Sequence, residues 1–305
     1  MTNQPAPDLH ITSQTPLTPT IQSWEIFLLD QGKSPYTVRA FMGDLQLFAG
    51  YLAPDKAIGA VTTRDINNFL SWLQNGRGVP CSPKSLARRI TSIKAFFRWL
   101  QQSGRILADP AEKVVQLSVI SPLPVVLTIE EQEKALEAAN AYRTAKKPDA
   151  RPYTLLNLLL STGVKKGECL AINTNHVDLE APGGPVLFVR YASPRNRYKE
   201  RKINLTEEWV EAYLEYLEQY QPKDIIFPWS PRRLEYLLED IGRAAGLEKH
   251  LSFDMARWTC VLRDWQSDED RETIRQKMGI SKIQWREISM KLRQLAQQEE
   301  TSSTA

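Results

Sequence analysis

Residues 251–289 read LSFDMARWTCVLRDWQSDEDRETIRQKMGISKIQWREIS. The spacing of apolar positions predicts one helix over Phe253–Trp265 and another over Arg271–Met278, parted by the acidic run Ser267–Glu272. Asp254 and Arg257 stand three apart in the first helix, and Met278-Gly279-Ile280 closes the second. The stretch ends on Ser289. The last tyrosine of the chain is Tyr236, so residues 237–305 hold no phenol.

Working outward, 305 residues suit two domains and a sizeable core. The net charge of +3 is too small to argue for a polyanionic partner, but its distribution is uneven. Residues 1–120 carry 12 Lys/Arg against 8 Asp/Glu, while 121–305 carry 27 against 28. Cys81–Arg105 holds six basic residues and no acid, and Arg190–Lys202 holds six and one. Such patches suit a phosphate backbone, whose neutralisation releases counterions, although a solvated charged face is the plain alternative. Cys81, Cys169 and Cys260 are odd in number and lack pairing or metal-ligand spacing, so we expect no metal, no cofactor and a reducing cytoplasm. His10, His176 and His250 form no cluster. No window approaches 18 consecutive apolar residues, and the opening residues show no signal-peptide pattern. No membrane partner is expected.

The organisation is mostly helical. After a leader over 1–17, read as flexible, the pattern predicts helices over Thr20–Gln31, from Ser34-Pro35, over Thr63–Gln74 and from Ser82-Pro83. In the fourth helix Leu86, Ile90, Ile93, Phe97 and Leu100 form one stripe, and Lys84, Arg88 and Arg98 fall opposite it. That predicts one face for a core and one for an anion. Residues 18–116 read as a helical domain, 117–128 as an extended linker and 129–298 as a second domain, with 299–305 a disordered tail. The second domain opens on a capping box, Thr128-x-x-Glu131, and continues through a helix over Tyr153–Ser161. Val186–Tyr191 and Lys202–Leu205 then read as strands joined by a basic loop, with Gly183-Gly184 turning the chain before them. Helices return over Trp209–Tyr220 and Pro231–Ala245. Trp229, Trp258, Trp265 and Trp285 are read as core residues rather than base-stacking platforms.

Five phrases in order resemble the tyrosine recombinase (phage integrase, Xer-like) family. SPYTVRAFMGDLQLFAGYL and SLARRITSIKAFFRWLQQSGRILADPA are similar to its core-binding domain; LPVVLTIEEQEKAL, STGVKKGECLAINTNHVDL and YKERKINL are similar to segments of its catalytic domain. The resemblance runs from about Thr18 to Leu295. It implies a mainly α fold with a small β-sheet: a helical, SAM-like core-binding domain plus a catalytic domain of tyrosine-recombinase type.

In that family a tyrosine attacks a DNA phosphate, assisted by two arginines, a lysine and two histidine-type residues that balance charge and protonate the leaving oxygen. The resemblance puts Lys165 at the first arginine, Asn196 at the lysine, Asp254 and Ile280 at the two histidines, Arg257 at the second arginine and Ser289 at the tyrosine. Only Arg257 is kept. Lys165 keeps charge but not the bidentate fork, Asp254 repels a phosphate, and Ser289 lacks a base. Glu168 matches an acid that usually supports the site.

The expected function is therefore duplex DNA binding on a recombinase frame without catalysis, accessory, regulatory or architectural in recombination or a mobile element. Lys84, Arg88, Arg89, Arg98, Lys165, Arg195, Arg197, Lys199, Arg201, Arg232, Arg233 and Arg257 are the expected contacts. The two domains are expected to close around a duplex, and charge reversal at Arg88 and Arg89 to abolish binding. A nucleoid-associated, cytoplasmic location follows. The C-terminal helix, Ile288–Gln298, is the expected docking segment for a second copy or an active recombinase. Two other readings stay open: a protein-interaction module that no longer binds DNA, and an active recombinase with an unorthodox site.

Overall fold

The computed structural model describes residues 10–53, 56–116 and 122–303, with side chains described to residue 298. The chain divides into two compact units between Pro122 and Leu123.

Among its described residues the first unit holds four α-helices: α1 (Leu17–Asp30), α2 (Pro35–Leu52), α3 (Thr63–Ser71) and α4 (Pro83–Gln102). The predicted caps hold. Ser34 accepts the Thr37 amide at 3.1 Å and Ser82 the Ser85 amide at 3.3 Å, each with proline as the first helical residue. The third helix stops three residues earlier than predicted, at Ser71, and a wide turn over Trp72–Gly76 takes its place. Trp24, Phe48, Phe69, Phe96 and Phe97 fill the core, with Trp24 edge-on to Phe96 at 5.4 Å and Phe48 edge-on to Phe69 at 5.1 Å. Each such ring contributes roughly 1.5–3 kcal/mol by leaving water.

Three boundary expectations need correction. The leader is not loose over its described part: Ile11 is buried in the core, its carbonyl accepts from Arg105 at 3.0 Å, and Pro16 bridges to Ala57. One apolar residue among polar ones carries too little periodicity to reveal this docking. Of the linker, residues 117–121 lie outside the described residues, while Leu127 is buried in the second unit and its amide donates to Thr259 Oγ1 at 2.9 Å. The tail is helical through Ser303, and residues 304–305 lie outside the described residues.

The second unit begins with α5 (Ile129–Ala141), whose capping box forms as predicted, and α6 (Arg151–Thr162). A short α7 (Lys166–Cys169) precedes a three-stranded antiparallel sheet ordered β1-β2-β3: β1 (Val177–Asp178), β2 (Val186–Val189) and β3 (Arg201–Asn204). Val186 pairs with Asn204 and Val189 with Arg201. At two residues β1 is too short for alternation to show, and sequence reading misses it. Between β2 and β3 the basic loop winds into a 3-10 turn, Pro194–Lys199. Then come α8 (Glu207–Tyr220), α9 (Pro231–Ala244), α10 (Phe253–Gln266), α11 (Arg271–Lys277) and α12 (Lys282–Ser303). The core packs α6, α8 and α10 with the sheet, and Trp209 donates its indole N–H to the Thr154 carbonyl at 2.9 Å. A smaller cluster seats α12: Leu292 and Leu295 meet Val261, Ile274, Met278 and Ile280. Trp229, Trp258, Trp265 and Trp285 pack against these clusters as predicted.

All three cysteines are free thiols. Cys169 and Cys260 are fully buried, whereas Cys81 is half-exposed.

Candidate functional site

The turn after α6 sets the first functional residues. Gly163 closes that helix in the left-handed region (φ 60°), where an L side chain is strained and a Cβ would come 3.3 Å from Cys260 Sγ. The chain then delivers Lys165 to the start of α7 and buries Glu168 one turn on. The carboxylate accepts the Lys165 amide at 2.8 Å, both terminal nitrogens of Arg201 at 3.0 and 2.8 Å, and the Tyr191 hydroxyl. Burial pushes this carboxyl up, but donation from Arg201, its charge, the Lys165 amide and Tyr191 together bring it down to about 2. Glu168 is therefore an anion at neutral pH. Burial, with the Glu168 bond next, pushes the Tyr191 phenol up.

Lys165 Nζ donates to the Gly279 carbonyl at 2.7 Å and lies 3.7 Å from Glu168 Oε1. Burial, opposed by Glu168 and reinforced by Arg257, Arg201 and Lys199, lowers its pKa to about 8. Arg257 is 7% exposed and donates to the Gly163 carbonyl at 2.9 Å and the Met278 carbonyl at 2.8 Å. Burial works against its charge and lowers its pKa, with Glu168 opposing. Arg201 is not an outward-facing contact as expected. Its side chain is 7% exposed and bound to Glu168 and to the Lys277 carbonyl at 2.7 Å.

Lys165, Lys166, Arg232, Tyr236, Asp254 and Arg257 are among the residues that line a cleft of about 980 Å³. Asp254 stands exposed in the first turn of α10. Lys166 pairs with Glu235, and Arg232 donates to the Tyr236 hydroxyl at 2.6 Å while its guanidinium lies 5.3 Å over that ring. Sequence reading did not place Tyr236 here; its position one turn after Arg232 on α9 was the available signal. Ile280 is buried in the α12 cluster. Ser289 spends its hydroxyl on the Arg286 carbonyl of its own helix at 3.2 Å. Asn196 accepts from Lys199 Nζ at 2.9 Å.

The remaining expected contacts separate cleanly. Arg195, Arg197 and Arg233 in the second unit, and Lys84 and Arg98 in the first, are exposed and have no side-chain partner among the described residues. Arg88 and Arg89 are different. Asp44, buried on α2, accepts from Arg88 and from Ser92 Oγ at 2.8 Å, and its Oδ1 is 3.5 Å from Arg89 Nε. Arg89 also donates to Cys81 Sγ at 2.6 Å. The expected anion-facing side of α4 is therefore reduced to its ends, because a buried carboxylate needs partners and these arginines supply them. Asp44 carried a signal in the sequence: it sits beside Leu45 within the apolar stripe of α2.

The two units are mainly helical, and the second carries a small antiparallel sheet beside a buried cationic centre. The chain belongs to the phage integrase family: residues 126–288 match that family, and residues 21–104 match the phage integrase N-terminal SAM-like domain. It is similar to the tyrosine recombinase XerD of Listeria innocua, 22% identical over 275 residues, covering 86% of this chain and 89% of the relative. It is also similar to the tyrosine recombinase XerC of Oceanobacillus iheyensis, 28% identical over 176 residues, 57% of this chain and 55% of that one. Among solved structures, the XerH site-specific recombinase bound to palindromic difH substrate in a post-cleavage complex superposes with a TM-score of 0.72 at 18% identity, covering 93% of this chain and 84% of that one. A lambda integrase dimer bound to a COC′ core site gives 0.70 at 16% identity, covering 89% and 94%. These likenesses bear out the expected fold class.

Proposed function

We propose that this chain binds duplex DNA on a tyrosine-recombinase scaffold and does not cleave it. The observation that carries the proposal is the division of the cations. Those at the centre are spent on the protein itself, whereas Arg195, Arg197 and Arg233 point into solvent from the loop and helix that rim it. Affinity for a duplex comes from backbone contacts spread over a surface, so it survives the loss of a nucleophile. Chemistry does not survive it. Residues 237–305 contain no tyrosine, Ser289 is hydrogen-bonded within its own helix, and the resemblance puts the Asp254 carboxylate, which lines the cleft, at a histidine position of the family, where it would repel a phosphate. The DNA-bound state of the solved relatives supports the same partner for this chain. An accessory or architectural role beside an active recombinase, in the cytoplasm on the nucleoid, is the biological setting we propose. Among the described residues no helix is long and apolar enough to cross a membrane.

A protein-interaction role is favoured by one observation: Asp268, Glu269 and Asp270 lie exposed together between α10 and α11. Fluorescence-anisotropy titration of mixed-sequence duplex DNA across a salt series separates the readings. Sub-micromolar binding with a steep negative dependence on salt, and no covalent adduct, is the expected result. Absence of binding at low salt overturns the DNA reading, and a protein–DNA adduct overturns the non-catalytic one.

A further inference from the structure

Three cations at the centre share one pattern. Arg257 joins the Gly163 carbonyl to the Met278 carbonyl, Arg201 joins Glu168 to the Lys277 carbonyl, and Lys165 reaches the Gly279 carbonyl from beside Glu168. Each bridges the segment 163–168 to one of three consecutive carbonyls at the exit of α11. Those carbonyls belong to the last residue of α11 and the two that follow it, where a helix leaves its acceptors without intrahelical partners and carries partial negative charge. Gly279 makes the arrangement possible. It turns the chain in the left-handed region (φ 57°), and a Cβ there would lie 2.6 Å from an Arg201 nitrogen. From the same turn the chain passes into α12, whose Leu292 and Leu295 pack on Met278 and Ile280.

We propose that the exit turn of α11 serves as the internal ligand of Lys165, Arg201 and Arg257, so that these three are positioning residues tying α11 and α12 to the body of the unit rather than a binding site for a DNA phosphate. Several features agree. Arg201 and Arg257 are almost wholly buried. Every terminal nitrogen of Arg257 and Arg201 has a protein acceptor. The one carboxylate exposed in the cleft's α10 wall, Asp254, works against an incoming anion. The part of this inference that concerns DNA rests on the proposed binding function; the part that concerns α11 does not.

The test uses the full chain and three measurements. Lys165→Met removes one bridge while keeping the length of the side chain, and Lys165→Arg restores a donor. Hydrogen exchange at the Met278 and Gly279 amides should be about 10-fold or more faster in Lys165→Met, in line with the loss of one charge-assisted bond, and should return toward the parent rate in Lys165→Arg. Inorganic phosphate, added to the unmodified protein at constant ionic strength, should leave exchange at those amides unchanged. The slope of log affinity for duplex DNA against log salt should be the same in Lys165→Met as in the parent. Unchanged exchange in Lys165→Met overturns the tie. A phosphate-dependent change in exchange, or a slope shallower by about 0.9, overturns the claim that the cations are withheld from phosphate. If the parent binds no DNA, the proposed function fails, and the exchange and phosphate results decide this inference alone.

Discussion

Replacing Glu168 by glutamine removes one charge and almost no volume, and the structure sets what that costs. The carboxyl is brought from its ordinary 4.5 to about 2, a difference worth roughly 3 kcal/mol at about 1.4 kcal/mol per unit. Because its side chain is only 2% exposed, solvent screening discounts little of this. A second route gives the same range: breaking a buried ion pair by removing one partner costs about 3–5 kcal/mol. At pH 7, Glu168→Gln should therefore lower the stability of the second unit by about 3 kcal/mol, with Arg201 left buried beside a neutral amide. The folded pKa lies below the unfolded one, so the stabilisation is fully present above pH 4.5 and is lost as pH falls through about 2. The gap between variant and parent should accordingly narrow on acidification. Urea titration read by hydrogen exchange in peptides from residues 186–205 reports this unit separately from the first. A gap below about 1 kcal/mol at pH 7, the size of an exposed pair, would refute the reasoning, as would a gap that stays constant down to about pH 2.

Other consequences are equally open to measurement. The double variant Arg195→Ala/Arg197→Ala should weaken duplex binding and make the salt dependence shallower by about 0.9 for each phosphate no longer neutralised; an unchanged slope would remove the loop from the interface. Asp44→Ala leaves Arg88, Arg89 and Ser92 without their shared acceptor and should cost the first unit about 1–3 kcal/mol, less than a fully buried pair because the Arg88 side chain is 41% exposed, measured by urea titration with exchange in peptides from α2 and α4. Charge reversal at Arg88 and Arg89 should consequently abolish DNA binding by unfolding, visible as loss of helical circular dichroism. Gly279→Ala should destabilise the second unit by about 1–2 kcal/mol from backbone conformation alone, and further because Arg201, held by Glu168, cannot move aside cheaply. Thermal denaturation checks it.

What could be read from sequence depended on whether a feature was local. Caps and stripes repeat at helical spacing, so Ser34, Ser82 and Thr128 placed helix starts to within a residue. The β2–β3 pair was visible through its flanking turn and basic loop, although the pairing ends at Val189 rather than Tyr191. Side-chain direction over long separations was not visible. Arg88 and Arg201 look like surface cations by periodicity and by their basic neighbours, yet each turns to a buried carboxylate 44 and 33 residues away. Periodicity predicts which side of an element is apolar; it carries no information about which single acid inside will capture a long, flexible cation. The carbonyls of residues 277–279 escaped for a related reason, since backbone acceptors have no residue type to recognise.

The distribution of thiols offers a practical opening. Cys169 and Cys260 are sealed in the second unit, where burial raises their pKa and suppresses the thiolate, while Cys81 is half-exposed just before α4 in the first. A maleimide dye should thus attach at one position of the unaltered chain. Because Trp24, Trp72 and Trp99 share the first unit with Cys81, energy transfer from tryptophan to that dye reports on the packing of that unit, read in solution before and after DNA is added.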